Sequence, residues 1–173
     1  NNKIISKVSS ASIEEIVEAV KSCHLGFKSW SKYSSKDRSE ILKDFYNLVK
    51  KNRKKISEII TLESGKPIQE SSVEVDYGAS FIEWSAEQAL RIKSDIFESP
   101  ESGKKLFTIR SPIGVVAAII PWNSQMFLTA VKLAPALAMG NTIVIKASEI
   151  APAPLFEFAK LIDKIGLPKG VIN

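Results

Sequence analysis

Two short runs of apolar residues, Val115-Val116-Ala117-Ala118-Ile119-Ile120 and Thr142-Ile143-Val144-Ile145, constrain this chain more than any other feature. Neither alternates with polar residues, the pattern of strands buried on both faces of a parallel sheet. Between them, residues 126–139 read as a helix closed by Gly140 and Asn141, and a second helix is predicted from about Pro152 to Ile165. Parallel neighbours need a crossover, so strand, helix, strand, helix in this order predicts βαβ units and an α/β fold class.

The residues before these runs read differently. Ser12 and Glu15 form an S-x-x-E capping box, and Ile13, Ile16, Val17, Val20 and Phe27 recur at helical spacing, predicting a helix that ends near Gly26 to Trp30. A second helix starts after Ser34 or Ser35, with Asp37 in its first turn and Ile41, Leu42, Phe45, Leu48 and Val49 on one face. The apolar pattern resumes at Ile56, Ile59, Ile60 and Leu62, and Gly65 and Pro67 make Glu63 to Pro67 a turn. A third helix is predicted from about Ser71 or Ser72, its apolar stripe being Val73, Tyr77, Phe81 and Trp84. Residues 94–103 read as a polar loop, and Lys105 to Arg110 as a strand with one exposed face, ended by Pro112. A helical opening, residues 1–104, thus leads into the strands and helices of residues 105–173. At the other end, Gly166 to Gly170 is a helix exit, and Val171-Ile172-Asn173 reads as the start of a third strand. A sheet left at two strands has uncovered edges, so the chain is expected to be a fragment.

Composition narrows the chemistry. With 45% hydrophobic and 25% charged residues the chain is of ordinary globular type. Its most apolar region, 113–139, is interrupted by Asn123 and Lys132, short of the about 18 apolar residues of a membrane helix, so no membrane partner is expected. The first seven residues lack the apolar core of a secretory signal, and a cytoplasmic location is expected. One cysteine and one histidine allow neither an internal disulfide nor a His-rich metal site, so no metal is expected. Cys23 and His24 are neighbours in a helix, which points them about 100° apart and disfavours a Cys–His dyad. Cys23 is expected to be a partly buried structural thiol, and His24 a surface or packing residue. The net charge of +5 invites a nucleic-acid reading, but the main basic run, Lys50 to Lys55, spreads over several faces of a helix. It reads as a solvated helix surface, and no nucleic-acid partner is expected.

In open α/β sheets, ligands bind outside the carboxyl ends of the strands. The residues leaving those ends are Pro121-Trp122-Asn123 and Lys146-Ala147-Ser148-Glu149. Taken singly, Asn123, Lys146 and Glu149 could each be a loop cap or a solvated charge; their joint occurrence is harder to explain by folding alone.

The stretches Pro112 to Asn123, Lys132 to Glu149 and Gly166 to Asn173 closely resemble the NAD(P)-dependent aldehyde dehydrogenase superfamily in both motifs and gaps. Upstream, Phe27-Lys-Ser-Trp30, Arg38 to Leu42 and Thr61 to Pro67 resemble that family's N-terminal helical segments, and Glu74 to Trp84 resembles its succinate-semialdehyde dehydrogenase branch. The resemblance implies an incomplete aldehyde dehydrogenase fold. Residues 1–104 would be the helical part of the dinucleotide-binding domain, residues 105–173 the first βαβα part of its Rossmann-like sheet, and the catalytic domain would be absent. It implies oxidation of a small-molecule aldehyde to a carboxylate through a thiohemiacetal, with NAD or alternatively NADP, in a homo-oligomer, dimer or tetramer. Asn123 would help hold the oxyanion. Lys146 and Glu149, with Ala147 and Ser148 between them, would meet the adenosine ribose, and Ile120, Pro121, Trp122 and Asn123 would lie along the cofactor. By the same match, the catalytic cysteine, the general-base glutamate and the Gly-rich pyrophosphate turn lie downstream of Asn173, so the chain alone is expected to be inactive. Ser124-Gln125 departs from the family's more usual aromatic residue and proline. The alternatives are an inactive fragment acting as a dinucleotide-binding module or as an association module.

Overall fold

The computed structural model describes residues 4–5 and 7–173, so the reading of residues 1–7 as free of a secretory signal lies partly outside the described residues. Helix α1 (Ile13–Trp30) begins at its predicted capping box: Ser12 Oγ accepts from the Glu15 amide at 3.2 Å, and the Glu15 carboxylate accepts from the Ser12 amide at 2.7 Å. Helix α2 (Ser35–Lys51) repeats the device with Ser34 and Asp37. Asn52 then separates it from α3 (Arg53–Ser64), which ends on Gly65 at φ 73°, the left-handed conformation that glycine takes without strain.

Helix α4 (Ile68–Ala89) corrects two expectations. It begins at Ile68 rather than near Ser71 or Ser72, because Pro67 occupies its N-cap instead of standing apart in a loop. Most of its predicted apolar stripe faces outward: Val73, Tyr77 and Trp84 are all more than half exposed, while Phe81 is half-buried against the core. The buried face carries Glu74, Val75, Gly78, Ala79, Ile82, Ser85, Ala86 and Ala89. Small residues win because helix–helix packing rewards close approach over bulk. A Cβ at Gly78 would sit 3.2 Å from the Met126 carbonyl oxygen, which shows how closely α4 runs past the following helix.

The segment read as a loop from 94 to 103 contains a short strand, β1 (Ile96–Glu98), paired antiparallel with β2 (Lys105–Phe107). β2 stops at Phe107 rather than Arg110, and both faces of this hairpin are exposed, where one exposed face was expected. Among the described residues, β1 and β2 meet no other helix or strand that would bury either face.

The parallel sheet is formed by β3 (Val115–Ile119) and β4 (Thr142–Lys146), in register from Val115 opposite Thr142 to Ile119 opposite Lys146. The crossover is α5 (Gln125–Ala138), and α6 (Ala153–Ile162) follows β4. The expected third strand starts where the sequence placed it. Ile172 bridges Ile143 in parallel, with the Ile143 amide donating to the Val171 carbonyl at 3.0 Å and the Asn173 amide to the Ile143 carbonyl at 3.0 Å. β3, however, is not buried on both faces. Ala118 and Ile120 join the core with Met126 and Ala130 of α5, while Ala117 and Ile119 are exposed. α5 covers one side of the sheet, and α1 reaches the other near Cys23, whose thiol donates to the Ile143 carbonyl at 3.3 Å and whose carbonyl accepts from Thr142 Oγ1 at 3.1 Å.

One core joins both halves of the chain, running from Trp30, Leu42, Phe45, Ile60 and Ile82 to Leu133, Leu137, Ile143 and Phe158. The rings of Phe45 and Phe158 meet at 4.6 Å. Arg38 ties α2 to the far end of α5 by donating from Nε to the Ala138 carbonyl at 2.9 Å, satisfying one of that helix's last carbonyls. Asn141 accepts from the Ile113 and Gly114 amides at 2.7 and 3.0 Å, fixing the entry to β3.

Cys23 is fully rather than partly buried, and burial pushes its thiol pKa up, as for an inert structural cysteine; His24 is exposed. The basic run is partly consumed by structure: Lys50 and Arg53 bind Asp76 at 2.7 and 2.8 Å, and Lys55 binds Glu157 at 2.5 Å. Among the described residues, no helix is long and apolar enough to cross a membrane, and no group of acidic, Cys or His side chains could hold a metal ion.

Candidate active and cofactor site

Because β3 and β4 are parallel neighbours, their carboxyl ends open on the same edge of the sheet. Ile119 and Lys146 are paired in the last register position, and the Ile120 amide still donates to the Lys146 carbonyl at 3.0 Å. Beyond that point the chain leaves the sheet through Pro121, Trp122 and Asn123 on one strand and Ala147, Ser148 and Glu149 on the other. The sequence-predicted residues therefore follow the same edge of the sheet, Asn123 and the Lys146–Glu149 pair bordering different cavities.

Their surroundings differ. Pro121, Trp122 and Asn123 are exposed, Trp122 by 52%. Lys146 and Glu149 are exposed and paired at 2.7 Å, and the hydrogen bond from Lys146 holds the Glu149 carboxyl below its usual range. Ser148 is buried, and its Oγ accepts from the Ile150 amide at 3.2 Å, the closure of a tight turn. The Ile120 side chain is buried in the core, so only its backbone borders the edge. Its neighbour Ile119, 74% exposed, supplies the apolar surface at the end of β3. The sequence reading missed Ile119, although strand alternation offers the signal: if Ala118 and Ile120 pack against the crossover helix, Ile119 must point the other way. A cavity of about 420 Å³ opens beside this edge, lined among others by Ile16, Ala19, Val144, Lys146, Glu149 and Phe156.

Asn123 stands just before α5. Among the described residues its side-chain amide has no hydrogen-bond partner, but its carbonyl accepts from Lys66 Nζ at 3.1 Å. Lys66 also forms an ion pair with Glu74, which is 5% exposed, and Glu74 Oε1 accepts from the Met126 amide at 3.0 Å. Ser124, the N-cap of α5, makes no side-chain cap bond, so Glu74 caps this helix from α4. Likewise Glu63 of α3 accepts from the Ala153 amide at 2.9 Å at the start of α6, and burial pushes its pKa up. Neither Lys66 nor Glu74 was identified as a site residue from sequence. A second cavity, of about 370 Å³, lies beside Asn123, with Lys66, Glu74, Val73, Tyr77, Ser124 and Phe127 on its wall. Tyr77 stacks on Phe127 at 4.7 Å, so the outward stripe of α4 has a surface partner on α5. Of the unusual Ser124-Gln125 pair, Ser124 borders this cavity, while Gln125 is buried and donates to the Ala151 carbonyl at 3.1 Å.

Chemically, the edge offers a free amide donor at Asn123, and an ammonium beside a carboxylate at Lys146 and Glu149. The first suits a developing oxyanion and the second the hydroxyls of a sugar. Comparison with known proteins places this arrangement in a family. The profile of the aldehyde dehydrogenase family matches residues 1–173. A succinate-semialdehyde dehydrogenase, named mitochondrial, from Oryza sativa subsp. japonica is 40% identical over 169 residues, 98% of this chain and 32% of that protein. A betaine aldehyde dehydrogenase point mutant from Staphylococcus aureus, solved in complex with NAD+, superposes with a TM-score of 0.96 at 30% identity, covering 100% of this chain and 36% of the other. A glyceraldehyde-3-phosphate dehydrogenase from Methanocaldococcus jannaschii complexed with NADP gives 0.93 at 31% identity, covering 99% and 38%. The chain thus spans about a third of the length of the curated relatives it matches. With the family model covering the whole chain and solved relatives sharing its fold, this chain belongs to the aldehyde dehydrogenase family.

Proposed function

We propose that this chain supplies the N-terminal part of an enzyme that oxidises an aldehyde to a carboxylate with NAD, NADP being the alternative cofactor. In this reading, residues 1–104 are the helical part of the dinucleotide-binding domain and residues 105–173 its first strands and helices. The observation that carries the reading is that Asn123 and the Lys146–Glu149 pair both follow the carboxyl ends of two adjacent parallel strands.

The side chains fit a dinucleotide. Lys146 donates and Glu149 accepts at exposed positions beside a cavity, which suits the vicinal hydroxyls of a ribose, and Ile119 and Trp122 offer apolar surface nearby. A bound nicotinamide dinucleotide supplies hydride acceptance. Lys146 and Glu149 orient its ribose, while the Glu149 carboxylate repels a 2′-phosphate and so favours NAD. Asn123 donates its amide to the oxygen of the aldehyde as negative charge develops there under attack by a thiolate from the remainder of the enzyme. Preorganised donation of this kind stabilises the transition state more than the ground state. The kinship with a succinate-semialdehyde dehydrogenase makes short acidic aldehydes the first substrates to assay. The assembled enzyme is a dimer or tetramer in this reading. The enzyme is cytoplasmic in this reading, and fractionation separates that from the mitochondrial location in the rice relative's name.

The test is reduction of NAD by aldehydes with the full-length protein, alongside Asn123→Ala. Removal of one oxyanion donor is expected to lower kcat by about 100-fold or more and to weaken NAD binding far less. Equal losses in kcat and cofactor affinity would rule out the oxyanion role, and an inactive parent enzyme would rule out the reading as a whole.

A further inference from the structure

Resting on the reading above, we propose that Lys66 and Glu74 are positioning residues that set the place of the Asn123 amide. Asn123 is exposed, and its side chain has no partner among the described residues, so its orientation depends on the backbone that carries it. That backbone is gripped on both sides of the turn into α5. Upstream, Lys66 Nζ donates to the Asn123 carbonyl at 3.1 Å; downstream, Glu74 Oε1 accepts from the Met126 amide at 3.0 Å. The ion pair between Lys66 and Glu74 joins the two contacts into one bracket around Asn123 to Met126.

Three features make this more than a surface salt bridge. Glu74 is nearly fully buried and Lys66 is 20% exposed, so the pair is only weakly screened by water. Ser124 leaves the N-terminus of α5 without a cap of its own, and Glu74 takes that role from a separate helix. Lys66 is held in turn between Gly65, which ends α3, and Pro67, the N-cap of α4, so its stem starts from a defined turn. The bracket thus transfers the rigidity of the helical layer to a turn with little support of its own. A misplacement of about 1 Å at a reacting centre can cost about 100-fold in rate, so a device of this kind acts on kcat rather than on cofactor binding.

Removing Lys66 alone strands a buried carboxylate and can prevent folding, so the informative variant changes both residues. In Lys66→Met/Glu74→Gln of the full-length protein, the glutamine oxygen still caps the Met126 amide while the tether to Asn123 is gone. The expected result is a fall in kcat of about tenfold or more with KM for NAD unchanged, and partial recovery in Lys66→Arg with Glu74 intact. The deciding measurement repeats the double change in an Asn123→Ala background. A positioning role acts only through the amide, so the loss should largely vanish there. The same loss in both backgrounds, or a KM effect with kcat intact, overturns the proposal. Amide hydrogen exchange over residues 121–128 reads the bracket without activity: roughly tenfold faster exchange in the double variant supports it, and unchanged exchange overturns it. An inactive parent enzyme with the exchange effect present would therefore sink the dehydrogenase reading and leave the bracket standing.

Discussion

At the scale of single residues, two glycines separate two reasons for having no side chain. Gly65 sits at φ 73° with open space where a Cβ would go, so its role is conformational. Gly26, inside α1, has no unusual dihedral, but a Cβ there would lie 2.5 Å from the Gly170 carbonyl carbon and 2.8 Å from the Val171 nitrogen. Backbone cannot step aside as a flexible side chain can. Gly65→Ala is expected to cost about 1 kcal/mol, the strain of a left-handed alanine, and Gly26→Ala about 3 kcal/mol from overpacking. Denaturant midpoints of the full-length protein check the order, and equal effects would mean that the contact between α1 and the Gly170 turn is softer than its geometry implies. The same contrast explains what was legible at this scale. Asn123, Lys146 and Glu149 could be picked out because strand and turn patterns put them at the strand ends. Lys66 and Glu74 could not, because their partners lie 57 and 52 positions away and leave no local spacing to read.

At the scale of elements, helix starts were legible in the capping boxes of α1 and α2 and, to within a residue, at α5 and α6, which follow a strand exit and a proline. What was not legible is that α5 and α6 take their caps from Glu74 and Glu63 on other helices. Periodicity gives an apolar face but not which face packs, and α4 buries its small residues because α5 runs alongside. Cross-element charge also joins α3 to α6. Glu157 of α6 accepts from Lys160 and pairs with Lys55 of α3, both at 2.5 Å, and these partners, Lys160 foremost, hold its carboxyl below the usual range. A lowered folded-state pKa means that the stabilisation is present above the unfolded value and is lost as pH falls through the folded one. Both lysines are more than half exposed, so screening limits the effect. Glu157→Gln should lower stability at neutral pH by about 0.5–1 kcal/mol, with the difference from wild type closing as the solution is acidified below the carboxylate range. A difference that stays constant with pH would assign the effect to packing of α6 instead.

At the scale of the whole molecule, the fold class was legible because two short runs rich in branched residues, each followed by a helical pattern, spell out a βαβα order, yet the reading of β3 as buried on both faces failed for a physical reason. Alternation says where side chains point, not what covers them. In this chain Ile119, the hairpin residues Ile96 and Phe107, and Ile109 just beyond the hairpin are each more than two thirds exposed, and α1 turns Ile13 and Ile16 outward beside the sheet. Apolar surface on that scale is normally covered, by another part of the same protein or by a second copy. The sheet edge adds to this, since among the described residues β4 meets only the isolated bridge of Ile172 to Ile143 on its far side from β3. The helical layer and the βαβα unit nevertheless share one continuous core, so the 173-residue polypeptide has the internal packing to hold its own fold. Expressed alone, it is therefore expected to be helical, to bind an apolar dye, and to sediment as dimers or larger species whose proportion rises with concentration. It should also produce no NADH from aldehydes, because within it no thiolate stands near Asn123: its one cysteine is buried against the Ile143 carbonyl. Sedimentation velocity with a parallel turnover assay decides both points. A monomer that binds no dye would mean that the exposed faces are tolerated as they stand, and measurable turnover would place the nucleophile within these 173 residues and overturn the assignment of attack to the rest of the enzyme.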